Sequence, residues 1–288
     1  MIDTVGFWES WALWRDIVAV AIIAAGLCSF VGVYIVLRRV VFVSAAMSQM
    51  SGVGVATAFF LCSVMQVDPH HAPLWLNPLW YATTFAAVGA ALFALNVGHR
   101  RLASETVVGL GYLVAAASVI LILNSPRVGQ EAHEVNDLLY GNAVVATPIQ
   151  LKIMIVTAAV VGVVHVLFGK EFRFVVFDAD MARTLGIRTR SWSLLLFLTF
   201  AIAISMSTRA IGALPVFAFM VIPPAVGLLL ADRMWSVFAV SIAVGVSSAF
   251  LGYWASFRWS LPTGASMVVA SALFLAPGLL RLRRKGEG

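Results

Sequence analysis

Four long runs of this sequence contain no aspartate, glutamate, lysine or arginine. They cover residues 17–37, 72–98, 210–231 and 234–257. A helix of about 20 apolar residues is long enough to cross the hydrocarbon core of a bilayer, whereas a helix of a soluble protein carries polar residues on its solvent-facing side. The runs therefore restrict the chain to one class, the polytopic α-helical membrane proteins.

The composition supports this class. Charged residues make up 11% and hydrophobic residues 61% of the chain, whereas soluble domains carry about 25% charged residues. The formal net charge of +6 would suit nucleic acid, but the basic residues cluster at the ends of apolar segments, as expected at a membrane. No nucleic-acid partner is therefore predicted. Cys28 and Cys62 both fall inside apolar segments, which argues against a disulfide framework or a thiolate metal site.

Nine apolar segments can be drawn, and no linker divides them. We predict an all-α bundle of eight or nine transmembrane helices that forms one domain, residues 1–288. Most lysines and arginines fall in alternate connections, a bias that places the N-terminus outside and the C-terminus in the cytoplasm. A re-entrant early segment would reduce the number to eight and move the N-terminus inside. The segments are 16–37, 41–66, 78–97, 104–123, 149–168, 191–208, 211–231, 234–256 and 262–280.

The longest charged interruption on the inner side contains DADMARTLGIRTR, residues 178–190. Asp178 suits an N-cap, Asp180 suits a first helical turn, and Gly186 stands where a helix of about two turns would end in a left-handed C-cap. We predict a short helix outside the bilayer, which either docks a partner protein or holds two spans in place at the interface. Three of its side chains are expected to share one face: Met181, Ala182 and Leu185.

The segment 211–231 contains Pro215, Pro223 and Pro224. Prolines remove backbone donors and kink a helix, which membrane helices tolerate when neighbours or water satisfy the freed carbonyls. Broken membrane helices often mark a transport path, and these prolines are candidates for one. A purely structural kink is the simpler interpretation.

The second segment opens with SAAMSQMSGVG, residues 44–54, which places polar side chains in an apparent span. Ser44, Ser48 and Ser51 recur at i, i+4 and i+7, on one helical face. A tight seam between helices explains the serines and glycines. Gln49 is different, because a buried amide needs partners or water. The candidates for a translocation path here are Ser48, Gln49 and Met50.

Histidines and nucleotide motifs give weaker signals. The outer connections hold His70, His71 and His133, which bind a metal or are simply solvated, and His165 in the fifth segment is expected to bond a neighbouring helix. The sequence has no G-x-x-x-x-G-K-[ST], since its one Gly-Lys pair is followed by Glu171. The chain therefore cannot bind ATP by the usual phosphate loop. No covalently bound cofactor and no enzymatic activity are predicted.

Five stretches together resemble the permease subunits of ATP-binding-cassette importers for zinc, manganese and iron. The resemblance implies eight or nine helices per subunit, two permease subunits (identical or paralogous) around a central path, two cytoplasmic ATPases that bind ATP, and an extracellular metal-binding protein. It also implies that 178–186 is the helix that couples to the ATPase. The stretches are GVYIVLRRVVFVSAAMSQMSGVGVA (32–56), NDLLYGNAVVAT (136–147), FDADMARTLGIRTR (177–190), IGALPVFAFMVIPPAVGLLLADR (211–233) and LPTGASMVVASALFLA (261–276).

One departure from the family concerns metal ligands. The family offers an Asp and a His one turn apart at the start of the second span, and the matching positions here hold Ala45 and Gln49. Alanine cannot coordinate, and an amide is a poor zinc ligand beside imidazole. Three explanations are open: a different permease partner that keeps the ligands, another cargo such as a metal complex, or an ion that passes on water, Met47 and Met50. The first and third are favoured.

The sequence thus predicts a permease subunit of an ATP-driven importer for a divalent transition metal, in the inner (cytoplasmic) membrane. An ATP-independent channel or secondary carrier is the first alternative; it would require ionisable residues at mid-membrane, which nearly all the segments lack. An importer of the same class with a non-metal or metal-complex substrate is the second. A membrane scaffold, whose inner helix is only a docking site, is the third.

Overall fold

The computed structural model describes residues 11–67, 73–96, 103–125, 148–278 and 280. Within these residues the regular secondary structure is helical, with one short 3-10 turn at Leu74–Leu76 and no β-strand. The α-helices are α1 Trp11–Leu37, α2 Phe42–Met65, α3 Pro78–Asn96, α4 Ser104–Leu123, α5 Pro148–Leu167, α6 Gly169–Phe177, α7 Ala179–Thr184, α8 Thr189–Ile211, α9 Ala213–Leu230, α10 Met234–Trp259 and α11 Thr263–Leu273.

Eight helices of the described chain are long and apolar enough to cross a membrane: α1 to α5, α8, α9 and α10. The ninth predicted segment, 262–280, forms a shorter apolar helical stretch, Thr263–Gly278. The prediction of an all-α membrane bundle is confirmed, with eight helices of spanning length. All the early segments reach that length, so a re-entrant early segment is not seen in the part of the chain that the structure describes.

Helix α1 lies at the centre of the bundle and packs against α5, α8, α9 and α10. Its approach to α9 depends on Gly32, because a Cβ atom there would overlap the backbone of Met220. Gly54 of α2 has the same role against the backbone of Tyr81 in α3. Membrane helices associate without a hydrophobic driving force between them, so small residues that permit close backbone packing are decisive.

Replacing Gly32 with alanine is expected to destabilise the protein by about 1–3 kcal/mol, the usual cost of overpacking a tight contact. Gly162 in α5 provides the control, since a Cβ atom at that position meets nothing within 4 Å. Alanine there should be neutral or stabilising by up to about 1 kcal/mol, because alanine is the better helix former. Thermal unfolding in detergent micelles measures both variants. Equal unfolding temperatures would show that the two backbones are not in tight contact.

The prolines of α9 have two different effects. Pro223 and Pro224 lie inside the helix and deprive carbonyls one turn earlier of their amide partners. The carbonyl freed by Pro224 belongs to Met220, the residue on which Gly32 of α1 packs. Pro215 is the third residue of α9, and an amide in a first turn has no intrahelical acceptor to lose. The prediction that Pro215 kinks the helix is therefore wrong.

The chain direction brings most of the described lysines and arginines to one end of the bundle. Arg38, just after α1, donates from Nη2 to the Ser193 hydroxyl near the start of α8 at 3.1 Å. Trp14, near the start of α1, packs on Phe257 near the end of α10 with ring centroids 5.5 Å apart. Helices α6 and α7 therefore lie at the Arg38 end. We call this the basic end; it carries Arg38, Arg39, Lys170, Arg173, Arg183, Arg188, Arg190 and Arg233.

Candidate functional site

Helix α7 at the basic end begins with the predicted cap. One carboxylate oxygen of Asp178 accepts hydrogen bonds from the backbone amides of Asp180 (3.1 Å) and Met181 (2.8 Å). Asp180 lies in the first turn, where a negative charge is favoured by the helix dipole, and it also accepts from Nη1 of Arg183 at 3.3 Å. The N-cap and first-turn predictions are confirmed.

The other end of α7 closes as a Schellman motif. The backbone amide of Ile187 donates to the carbonyl of Ala182, and that of Gly186 to the carbonyl of Arg183, both at 3.0 Å. Gly186 has a φ of 77°, a left-handed conformation in which a side chain would be strained. The predicted C-cap is confirmed, and local sequence alone fixes both ends of this helix.

Three large apolar side chains project from this region into the surroundings. Phe177 is 60% exposed, Met181 55% and Leu185 58%, and each follows the previous one by four residues. We call these three side chains the apolar knob. Ala182 is fully buried instead, so the prediction that it shares a face with Met181 and Leu185 is wrong; one position along a helix is a rotation of about 100°. Exposed apolar clusters of this kind are typical of protein contact sites.

The knob is attached to the bundle on two sides. Helix α6 buries Phe172, Val175 and Val176 against it. On the side of α8, Nε of Arg183 donates to the Thr189 hydroxyl at 3.2 Å. These contacts fix residues 169–190 to the bundle. The three side chains of the apolar knob nevertheless remain exposed.

A cleft of about 700 Å³ lies beside the knob, between α6, the connection after α7 and the start of α8. Phe174 and Trp192 form apolar walls, and Lys170 and Arg188 line it as well. One carboxylate oxygen of Glu171, which also lines the cleft, is buried and has no hydrogen-bond partner among the described residues. The knob and the cleft together form an uneven surface of apolar and charged side chains. Such a surface suits a protein partner.

In the sequence Arg38 is one more positive charge after an apolar segment, whereas in the structure it joins α1 to α8 at the basic end. Its guanidinium lies 5.0 Å from the centre of the Phe197 ring, in addition to the bond to Ser193. Burial lowers the pKa of Arg38 to about 10, so the side chain remains charged at neutral pH. The sequence shows that Arg38 directly follows an apolar segment, which indicates a position at a helix end. It does not show the partners of Arg38, because they lie more than 150 residues away.

The polar stretch of α2 forms the predicted seam. Ser51 donates to the hydroxyl of Ser205 at 3.1 Å, and Thr208 donates to that of Ser48 at 3.3 Å. All four side chains are buried between α2 and α8. Ser44 instead bonds the carbonyl of Val41, the N-cap residue of the same helix. The interpretation as a helix–helix seam is confirmed for Ser48 and Ser51.

The three path candidates of α2 lie on different sides of the helix. Ser48 is in the seam with α8, and Met50 packs on Gly89 of α3. Gln49 lies between them and is half-buried, like Ala45 one turn earlier. An amide in contact with lipid would be costly, so this side of α2 needs protein or water next to it. We call it the open face; its residues are Phe42, Ala45, Gln49, Val53 and Thr57.

Metal ligands are scarce in the described part of the chain, where no three His, Cys, Asp or Glu residues come close enough to hold an ion. His70, His71 and His133 lie outside the described residues, as does the stretch 136–147. Pro223 and Pro224 are buried in α9, which touches α2. The open face is therefore the part of the predicted path that the structure presents to its surroundings.

One family model, several relatives and a solved structure match this chain. The model of the ABC 3 transport family matches residues 11–281. The manganese import system permease protein ScaB of Streptococcus gordonii is 23% identical over 92% of both chains, and the manganese transport system membrane protein MntC of Listeria monocytogenes is 24% identical over 69% of this chain and 73% of its own. The solved structure of PsaBC from Streptococcus pneumoniae in complex with Fab superposes with a TM-score of 0.78 at 20% identity, covering 94% of both chains.

Proposed function

The chain belongs to the ABC 3 transport family, and we propose that it imports a divalent transition metal as the permease subunit of an ATP-driven transporter. The observation that carries this proposal is the extent of the match, which runs through all eight spanning helices and the capped helix α7. The chain is not itself an enzyme, and ATP hydrolysis is the task of a separate ATPase. It lies in the cell membrane as a multi-pass protein.

The basic end is proposed to face the cytoplasm. Lysine and arginine are enriched in cytoplasmic connections, and this end carries eight of them. The stretch after α11 returns to the same end, because Gly278 packs on Leu229 at the end of α9. This supports a cytoplasmic C-terminus and an N-terminus outside.

The proposed partners follow from this orientation. The ATPase docks on the apolar knob and the cleft beside it, which makes 178–186 the coupling helix. The open face of α2 turns toward the translocation path, which a second permease subunit completes. A metal-binding protein delivers the ion from outside, as the family resemblance implies.

Manganese is the cargo that we propose first. The relatives named above are described as manganese transporters, and the open face offers only an amide and a hydroxyl oxygen, from Gln49 and Thr57. Oxygen ligands and water suit manganese, whereas zinc favours imidazole and thiolate. We infer that the coordination missing at Ala45 and Gln49 is made up by water and by groups of the second subunit.

The function is tested in vesicles that contain the permease together with its partner ATPase. Manganese is supplied together with the metal-binding protein, and uptake is followed with and without ATP. Accumulation that requires ATP hydrolysis is expected, with iron and zinc as competitors that rank the cargo. Uptake at the same rate with and without ATP would identify a channel or secondary carrier instead. So would a manganese concentration inside the vesicles that never exceeds its equilibrium value.

A further inference from the structure

Seven rings meet where residues 169–190, on which the ATPase is proposed to dock, join the bundle; we call these residues the docking segment. Their neighbouring centroids are between 5.0 and 6.5 Å apart, the range in which aromatic rings attract one another by offset or edge-on contact. They come from α1, α5, α6, α8, α10 and the α5–α6 connection. We call this cluster the aromatic joint: Phe30, Tyr34, His165, Phe168, Phe172, Trp192 and Phe238.

Phe172 is the one member of the joint that α6 provides. Its ring is fully buried and lies 5.0 Å from His165 of α5, 6.2 Å from Trp192 of α8 and 6.4 Å from Tyr34 of α1. The segment that carries the knob thus inserts a single ring among three spanning helices. A displacement of α6 must move this ring or its neighbours, because protein interiors are close-packed.

His165 is an unusual choice for the middle of such a cluster. Its Nδ1 contacts the carbonyl of Val161 in the same helix at 2.9 Å, so the prediction of a bond to a neighbouring helix is wrong. The contact to a carbonyl identifies Nδ1 as the donor, and Nε2 is buried with no hydrogen-bond partner among the residues that the structure describes. An unsatisfied buried nitrogen costs stability, and a group of this kind is expected where a function requires it.

The joint extends from α6 to the helices at the centre of the molecule. Phe30 and Tyr34 of α1 each lie 5.2 Å from Phe238 of α10. Helix α1 in turn packs through Gly32 on α9, the helix with two internal prolines. The bond from Arg183 to Thr189 attaches the docking segment to α8. Phe172 contacts α1 directly through Tyr34, and Tyr34 in turn contacts Phe238 of α10.

We propose that Phe172, oriented by His165, is a positioning residue that transmits movement of the docked ATPase to α1 and α10. The inference rests on the proposed function, because it needs an ATPase on the knob. Removing the ring leaves docking and hydrolysis in place but weakens the link to the spanning helices. ATP is then hydrolysed with less metal moved.

The test compares manganese uptake with ATP hydrolysis in the same reconstituted vesicles. In the Phe172→Ala variant the ATPase is expected to remain bound and to hydrolyse ATP. The number of manganese ions moved per ATP should fall about fivefold or more, which is the scale on which coupling residues act. Phe172→Leu should recover part of the ratio, because it refills the space. Phe219→Ala is the matched control: Phe219 is equally buried, in α9, and is not part of the joint. Loss of folded protein lowers uptake and hydrolysis together and leaves their ratio unchanged.

An unchanged ratio in Phe172→Ala overturns the proposal, as does an equal fall in Phe219→Ala. If Phe172→Ala does not insert into the membrane, Phe172→Leu and His165→Phe decide the question by the same ratio. If the unmodified complex takes up manganese with ATP but the variants keep the same number of ions per ATP, the proposed role of the aromatic joint is refuted and the proposed function is not. Absence of ATP-driven uptake by the unmodified complex refutes the proposed function, and the joint with it.

Discussion

Replacing Leu185 with glutamate is expected to abolish association with the ATPase while the permease still folds and inserts. Leu185 is 58% exposed at the end of α7, so its replacement removes no contact within the chain that the fold depends on. In a docked complex it would be covered together with Met181 and Phe177. Losing such an apolar anchor costs about 2 kcal/mol or more, and burying an unpaired carboxylate adds to that. Affinity should fall by at least about 100-fold.

Binding of the purified ATPase to immobilised permease measures this effect. Leu185→Met keeps an apolar side chain of similar size and should bind normally. Thr184→Glu places the same charge on the same helix at an exposed polar position that is not one of the three knob side chains. Glutamate at 184 therefore separates the effect of charge from the effect of position. Undiminished binding of the Leu185→Glu variant would reject the knob as the docking site.

Ala182 is a poor position for this experiment, although sequence reasoning placed it beside Leu185. Its side chain is buried against the bundle, and its carbonyl accepts one of the two bonds of the Schellman motif. A glutamate there would disrupt α7 itself. Loss of binding would then report a misfolded helix and say nothing about the contact surface.

The caps of α7 could be predicted because they are local. Asp178 bonds amides two and three residues ahead, and Gly186 takes its conformation from its own lack of a side chain. The side of α7 that is buried could not be predicted, because contacts to α6 and α8 decide it. A helix of six residues carries too few apolar positions to reveal which side that is.

The seam of α2 shows the same division between local and distant information. The spacing of Ser48 and Ser51 predicts a shared face, and they share one. Their partners Ser205 and Thr208 lie 154 and 160 residues further along, where no pattern in the sequence points to them. The aromatic joint was missed for this reason: its rings are spread from Phe30 to Phe238, and each one alone resembles an ordinary apolar residue of a span.

The prolines of α9 illustrate how position within a helix changes a residue's effect. Sequence reasoning treated Pro215, Pro223 and Pro224 alike, because the helix start was not visible. Gly212, with a φ of 90°, separates α8 from α9 and places Pro215 in the first turn. Only the two later prolines therefore free carbonyls inside the bundle.

Replacing Gln49 with arginine is expected to reduce manganese uptake by about 100-fold or more, with ATPase binding unaffected. If the open face lines the path, a fixed positive charge meets a divalent cation at close range, and repulsion between them amounts to several kcal/mol even at an effective dielectric constant of about 20. Every 1.4 kcal/mol is about tenfold in rate. Uptake into vesicles, with ATPase binding measured in parallel, gives both quantities.

Two further variants define what Gln49 itself contributes. Gln49→Met keeps the length without the amide, and uptake should stay within about threefold of normal if water supplies most of the coordination, because water is a suitable ligand for manganese. Gln49→Glu restores an anionic oxygen and should tighten manganese binding to the purified permease, since carboxylates are preferred ligands of this ion. Normal uptake by the Gln49→Arg variant would place the open face away from the path. The half-buried amide would then have to be satisfied by protein, and the second permease subunit would be packed directly against α2 rather than across a channel from it.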